Sequence, residues 1–375
     1  MNQLSAGLGY MPEPIRAAKV TIIVLTWNSL RHVDSCLSSL LQQSYRDYTI
    51  HVYDSCSSDS TVEFIKSHYP QVAVTQLHEN LGYRRGNALA MAQTDTDYIV
   101  VCNDDVEVEP DWLEELVRCL DGDVSIGMAT PLILLADAPN RVNSAGNTLH
   151  FSGMYGPRGK GEDRTLHSTE CDLAAPSGCC FIVRRAILQN IEGFSSDFDA
   201  FDTGWHASYE DVDLAWRIQL LGYRIRYVPS SVMYHHYTQP GIFPSRFGSL
   251  EWGRYITVLR NYRRFTLICL LPLLFIIECL MWVYAIGRGR PYLRAKAAVM
   301  RWLITNPESI REMRQKVQRN ARVSDSQIMS RMSRTIHVDR QLGGSTVGRV
   351  LDTLLAAVMT AYGFVLLYLL RLFGL

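Results

Sequence analysis

Between residues 20 and 105 the chain alternates four short apolar runs with three stretches of helical periodicity, and few folds accept that alternation. The runs are VTIIVLTWN (20–28), TIHVYDS (49–55), VAVTQLH (72–78) and DYIVVCNDD (97–105), with helices expected near 30–43, 59–68 and 83–93. The first run is continuously apolar, as a strand covered on both faces requires. A βαβαβαβ series predicts an α/β fold on a parallel, doubly wound, Rossmann-like sheet. Ligands of such sheets sit beyond the carboxyl ends of the strands, where the strand order reverses. Thr26, Trp27, Asn28, Asp54, Ser55, Asn103, Asp104 and Asp105 end these strands, so they should converge on one crevice.

The remainder has a different character. From 110 to about 240 an amphipathic helix, PDWLEELVRCL, gives way to short strands broken by glycines. Within it, SAGNTLHFSGMYGPRGKGED (144–163) reads as a mobile loop whose Arg158 and Lys160 would meet phosphate on closing. Two apolar stretches, 265–287 and 350–375, are each long enough to reach across a bilayer. Residues 288–349 between them carry 14 Lys/Arg against four acids, a balance that belongs on the cytoplasmic side. Residues 1–19 lack the apolar run of a signal peptide, so the N-terminal domain is expected in the cytoplasm as well. A full crossing at 265–287 would put the basic segment on the wrong side. Pro272 and Glu278 instead favour a bent re-entrant or interfacial element there, leaving 353–370 as the better candidate to span. Lys+Arg and Asp+Glu are both 37, which removes any global attraction to nucleic acid. The nine cysteines are odd in number and scattered, as reduced buried thiols would be, and adjacent Cys179 and Cys180 have no companions at zinc spacing.

Several short blocks carry chemistry. Asp104 and Asp105 form a carboxylate pair at a strand end, which repels itself unless a cation joins it. Oxygen ligands at an open site suit Mg²⁺ or Mn²⁺, although a helix cap near Pro110 would use the same residues. Asp54 stands where an acid can accept hydrogen bonds from a base or ribose, or cap a turn. ENLGYRRGN sets Asn80, Gly82, Arg84, Arg85, Gly86 and Asn87 at a helix start, where backbone amides and arginine meet phosphate oxygens. In SYEDVDLAWRIQLLGYRIRYVP, Glu210 and Asp213 suit a helix N-terminus for stability alone, whereas Asp211 is placed to take a proton from an attacking hydroxyl. VMYHHYT then offers His235 and His236 after a strand, each a metal ligand or a bland histidine.

These blocks, in this order and together with PSGCCFIVRRAIL and NIEGFSSDFDAF, resemble the family 2 glycosyltransferases over residues 20 to about 240. The resemblance implies a GT-A fold, a nucleotide-diphosphate sugar donor, a divalent cation and inversion at the anomeric carbon. It puts Thr26, Trp27, Asn28 and Asp54 at the nucleoside, and Asn80, Gly82, Arg85 and Asn87 along the diphosphate. The family's D-x-D becomes Asn103-Asp104-Asp105, with Asp105 as the main metal ligand and His235 completing the site, subject to a one-residue ambiguity with His236. Glu210 and Asp211 match the family's ED pair, with Asp211 as catalytic base. Expected boundaries are an extension at 1–19, a catalytic domain at 20–250, a membrane-interacting segment with a basic helical loop at 251–349, and a transmembrane helix at 350–375. Membrane attachment points to a lipid-linked or envelope glycan acceptor at the cytoplasmic face. Among rivals, a nucleotidyltransferase would need a basic glycine-rich loop where TWNSLRHVDS stands, and two apolar segments are too few for a transporter. A degenerate transferase serving as a nucleotide-sugar-binding subunit is opposed by retention of Asp105 and Asp211.

Overall fold

In the computed structural model, residues 18–191, 193–200, 209–238, 241–335, 346–372 and 374 are described. The predicted alternation is present: β1 (Val20–Thr26), α1 (Val33–Leu41), β2 (Tyr48–Asp54), α2 (Thr61–His68), β3 (Ala73–Gln76), α3 (Gly82–Gln93) and β4 (Tyr98–Asn103). These four strands pair in parallel in the order β3-β2-β1-β4. The chain therefore leaves β1 toward one side and returns to its other side at β4, opening a crevice at their carboxyl ends.

Successive side chains of one strand enter two different cores. Ile22 and Val24 pack with Leu37, Leu40 and Leu116 on one face, while Ile23 joins Ala90 and Met91 on the other. That double burial is why the strands read as unbroken apolar runs. Beyond β4 the sheet is no longer parallel. β5 (Val106–Val108), α4 (Trp112–Gly122), β6 (Ile126–Leu135) and β7 (Ala138–Ser144) follow, and later β10 (Cys171–Leu173), β11 (Cys180–Arg184) and β12 (Arg224–His235). β11 lies antiparallel between β4 and β6, and β12 runs parallel to β6. The parallel doubly wound expectation thus holds for the first half and gives way to a mixed sheet in the second.

The segment expected as a mobile loop is built instead. Its β8 (Asn147–Leu149) and β9 (Tyr155–Pro157) form a two-stranded antiparallel hairpin. Gly146 and Gly153, at φ of +85° and +84°, make the tight turns that a polar, glycine-rich reading mistakes for slack. Leu149, Phe151 and Ser152 are fully buried beneath it.

After α5 (Arg185–Leu188), α6 (Glu210–Leu220) crosses behind the sheet, and α7 (Pro244–Asn261), α8 (Arg264–Arg288), α9 (Arg290–Thr305), α10 (Pro307–Gln318) and α11 (Asp325–Met329) complete the body. α8 is a single helix with Pro272 inside it. It turns back along α7: Arg263 beside its start donates its backbone N–H to Asp325, and Ala285 near its end packs with Phe247 and Tyr292. Glu278, the costly lone carboxylate of the sequence, accepts from Arg254 (3.3 Å) and Lys296 (3.0 Å), and Tyr255 donates to it as well. Within the basic segment, α9 and α10 pack against α7. The last helix, α12 (Thr346–Leu372), buries Met359, Leu366, Leu367 and Leu370, and Tyr362 donates to the carbonyl of Cys269 in α8. Outward from α8 point Ile268, Leu271, Phe275, Val283 and Ile286, and from α12 Phe364, Val365 and Tyr368. Among the described residues, Arg264–Arg288 is the one helix long and apolar enough to cross a membrane.

Candidate active site

Two neighbouring cavities open at the carboxyl ends of β1 and β4. The first, roughly 380 Å³, is lined by Thr26, Trp27, Ser55, Asn80, Gly82, Tyr83, Asn103 and Asp104. Trp27 is exposed at its mouth, offering a ring face to a planar ligand. Asn80 shapes the wall by accepting from the Gly82 amide (2.8 Å) and the Ser55 hydroxyl (3.0 Å). Four residues expected there have partners within the protein. Asn28, at φ +53°, accepts from the amide of Ser58 (2.8 Å) and locks two loops together. Asp54 is fully buried and accepts from the Ser57 amide (3.0 Å). Asn87 is buried in α3 and donates to the Tyr83 carbonyl (2.9 Å). Arg85 is turned to Asp199 (3.0 Å), which also holds Arg84, and neither arginine lines these two cavities. Helical spacing after Gly82 points positions 84 and 85 at the 196–200 turn, whose carboxylate neutralises both.

The second cavity, roughly 290 Å³, brings together Asn103, Asn143, Asn147, Gly178, Glu210, Asp211 and His235. Asp211 sits in the first turn of α6, which starts from Tyr209 in the left-handed region at φ +72°. Its Oδ2 accepts from Asn147 (3.2 Å), and a Cβ on Gly178 would come within 3.1 Å of the same atom. Burial pushes the Asp211 carboxyl up to about 6, against the pull of backbone amides and Asn147. Glu210 is buried alongside it. Asp213, two residues on, has a different environment. Burial would raise it, but Arg260 and Arg217 hold it down to about 2, so it serves as a structural anchor.

Between the cavities, Asp105 Oδ1 lies 3.1 Å from His235 Nε2. His235 Nδ1 meets Asn143 Oδ1 at 3.1 Å, which fixes the ring with Nε2 toward Asp105. His236 bonds Glu107 (2.8 Å) instead, which separates the two histidines. Asp105 Oδ1 is buried yet makes no well-formed hydrogen bond. Adjacent ligands of an octahedral Mg²⁺ or Mn²⁺ at ~2.1 Å stand about 3 Å apart, so this pair fits such an ion. Burial would raise Asp105, but His235 draws it below the usual carboxylate range; Asp104, buried against Thr26 and Ser29, is pushed up to about 6. The described residues contain no cluster of three or more His, Cys, Asp or Glu.

Sequence reasoning did not single out Tyr83, Tyr155, Asn147 or Tyr209. Tyr83 belongs to both cavities and donates to the Gly178 carbonyl. The PSG of 176–178 carried a signal only as a matching block.

Residues 21–192 match the glycosyl transferase family 2 domain. The chain is 25% identical over 239 residues to the N-acetylglucosaminyl-diphospho-decaprenol L-rhamnosyltransferase of Mycobacterium tuberculosis, across 57% of this chain and 75% of that one. It is 22% identical over 280 residues to the poly-beta-1,6-N-acetyl-D-glucosamine synthase of Staphylococcus aureus, across 71% and 63% respectively. Among solved structures, GalNAc-T7 with UDP, GalNAc and Mn²⁺ superposes at a TM-score of 0.51 and 15% identity, covering 66% of this chain. This chain spans about half (49%) of that structure, and the likeness carries the fold alone. With a mixed sheet of GT-A type and the family match along the first half, residues 21–192 form a family 2 glycosyltransferase domain.

Proposed function

We propose that the protein moves a sugar, with inversion, from a nucleotide-diphosphate donor to a lipid-linked envelope glycan acceptor at the cytoplasmic face of the membrane. The observation that carries this reading is Asp211, a buried carboxylate with its pKa near 6, in one cavity with His235 and next to Asp105. The nucleoside would lie on Trp27 in the first cavity and the sugar would project into the second. Asp211 takes the proton of the acceptor hydroxyl as its oxygen bonds the anomeric carbon, and the bond to the diphosphate breaks on the opposite side. A divalent cation held by Asp105 and His235 would neutralise the departing charge. Asn147 and the backbone around Gly178 hold Asp211 in place throughout.

The acceptor class is supported by the apolar faces of α8 and α12 and by the diphospho-decaprenol acceptor of the mycobacterial relative. The test is a panel of nucleotide sugars with purified protein, reading release of nucleoside diphosphate with and without EDTA. Release from one donor that EDTA stops is expected; full turnover in EDTA sinks the metal assignment. Asp105→Ala should lose Mn²⁺-dependent donor binding by calorimetry, and retained binding would move the metal elsewhere.

A further inference from the structure

We infer that Lys160 and Arg246 form a subsite for the phosphate of an anionic lipid acceptor, at the rim of the cavity that holds Asp211. This rests on the transferase reading above and names the part of the acceptor that the site grips. Both side chains line that cavity with Asp211 and Glu210. Lys160 stands 4.4 Å over the Tyr237 ring and 3.3 Å from its hydroxyl, which fixes the ammonium at the wall. Arg246 comes from the first turn of α7 on the opposite element.

The charge balance gives the reason. A cavity containing two buried carboxylates repels an anionic acceptor unless cations stand beside them, and a neutral sugar would need none. The neighbourhood of Arg246 adds a second, independent observation. The next residue, Phe247, is buried with Ala285 of α8 and Tyr292 of α9, and Tyr284 lies against both aromatic rings. From that cluster the exposed apolar stripe of α8 runs outward through Ile286 and Val283. Base, cations and apolar helix therefore follow one another along the surface. A sugar joined through a diphosphate to a polyprenyl chain has the same order: hydroxyl, phosphates, hydrocarbon.

The experiment uses the full chain and neutral phosphatidylcholine vesicles carrying either a polyprenyl diphosphate or the uncharged polyprenol, with no sugar transfer required. Wild type should sediment with the diphosphate vesicles at least ~10-fold more tightly than with the polyprenol ones. The double variant Lys160→Gln, Arg246→Gln should lose that preference while keeping its binding to phosphatidylglycerol vesicles, which reads the basic helices. Lys160→Arg, Arg246→Lys should keep most of it, separating charge from folding. An unchanged preference in the Gln variant overturns the subsite. So does its abolition by nucleoside diphosphate with Mn²⁺, which would assign the two cations to the donor. Absence of nucleotide release from every donor would sink the transferase reading and leave the vesicle result standing.

Discussion

At the scale of single residues, the second cavity depends on one carboxylate being kept poor in water and yet reachable. Asp211→Asn preserves shape and the contact with Asn147, so donor binding should persist while the rate falls on the order of 100-fold or more. Steady-state kinetics with a separate donor-binding measurement checks this, and a normal rate would assign the base to another residue. The sign of the pH effect follows from the raised pKa. Asp211 accepts a proton only when ionised, so kcat/KM should fall as pH drops through about 6 and level off above it. A limb near 4 would mean that the ionising group is an ordinary exposed carboxylate. Strand-end residues such as Thr26, Asn103 and Asp105 were legible in sequence because strand periodicity dictates where they emerge. Asn147 and Tyr83 were not, since they reach the cavity from a hairpin and a helix with no chemical signature of their own. The ion-pair partner of Arg85 was hidden for a related reason: Asp199 lies over a hundred residues away in sequence.

At the scale of elements, α7, α8 and α9 are joined by a charge cluster with two acids and two bases: Glu251, Glu278, Arg254 and Lys296. Lys296 is fully buried and Arg254 nearly so. Glu278→Gln would leave two cations facing one carboxylate, at a cost of about 3 kcal/mol. Thermal unfolding should show a clear loss, and an unchanged midpoint would mean that water reaches the cluster. Sequence periodicity identified the apolar helix and its two odd residues, Pro272 and Glu278. It offered no partner for the glutamate, because Arg254 and Lys296 lie 24 and 18 positions away on other helices. The same limit hid the packing of α9 and α10 against α7 and the pairing of β8 with β9. The early strands escaped it, because their pairing follows from chain order alone.

At the scale of the molecule, α8 has its beginning tied to Asp325 beside α11 and its end tied to the start of α7, so both ends belong to the catalytic body. On the proposed function, a helix held this way would lie along a membrane surface, presenting Phe275, Ile286 and their neighbours to lipid. Single-cysteine variants at positions 300–330 should resist an impermeant reagent added outside intact cells, and labelling there would mean that the chain crosses twice. The same anchorage makes α8 a keel and Asp211 a point at fixed height above it. On the proposed reading, the protein then works as a ruler: it reacts with acceptors whose free hydroxyl sits at that height and passes over those already lengthened. A series of lipid-linked acceptors differing by one sugar should show kcat/KM dropping sharply after a single length, and equal rates along the series would mean that the keel sets no height at all.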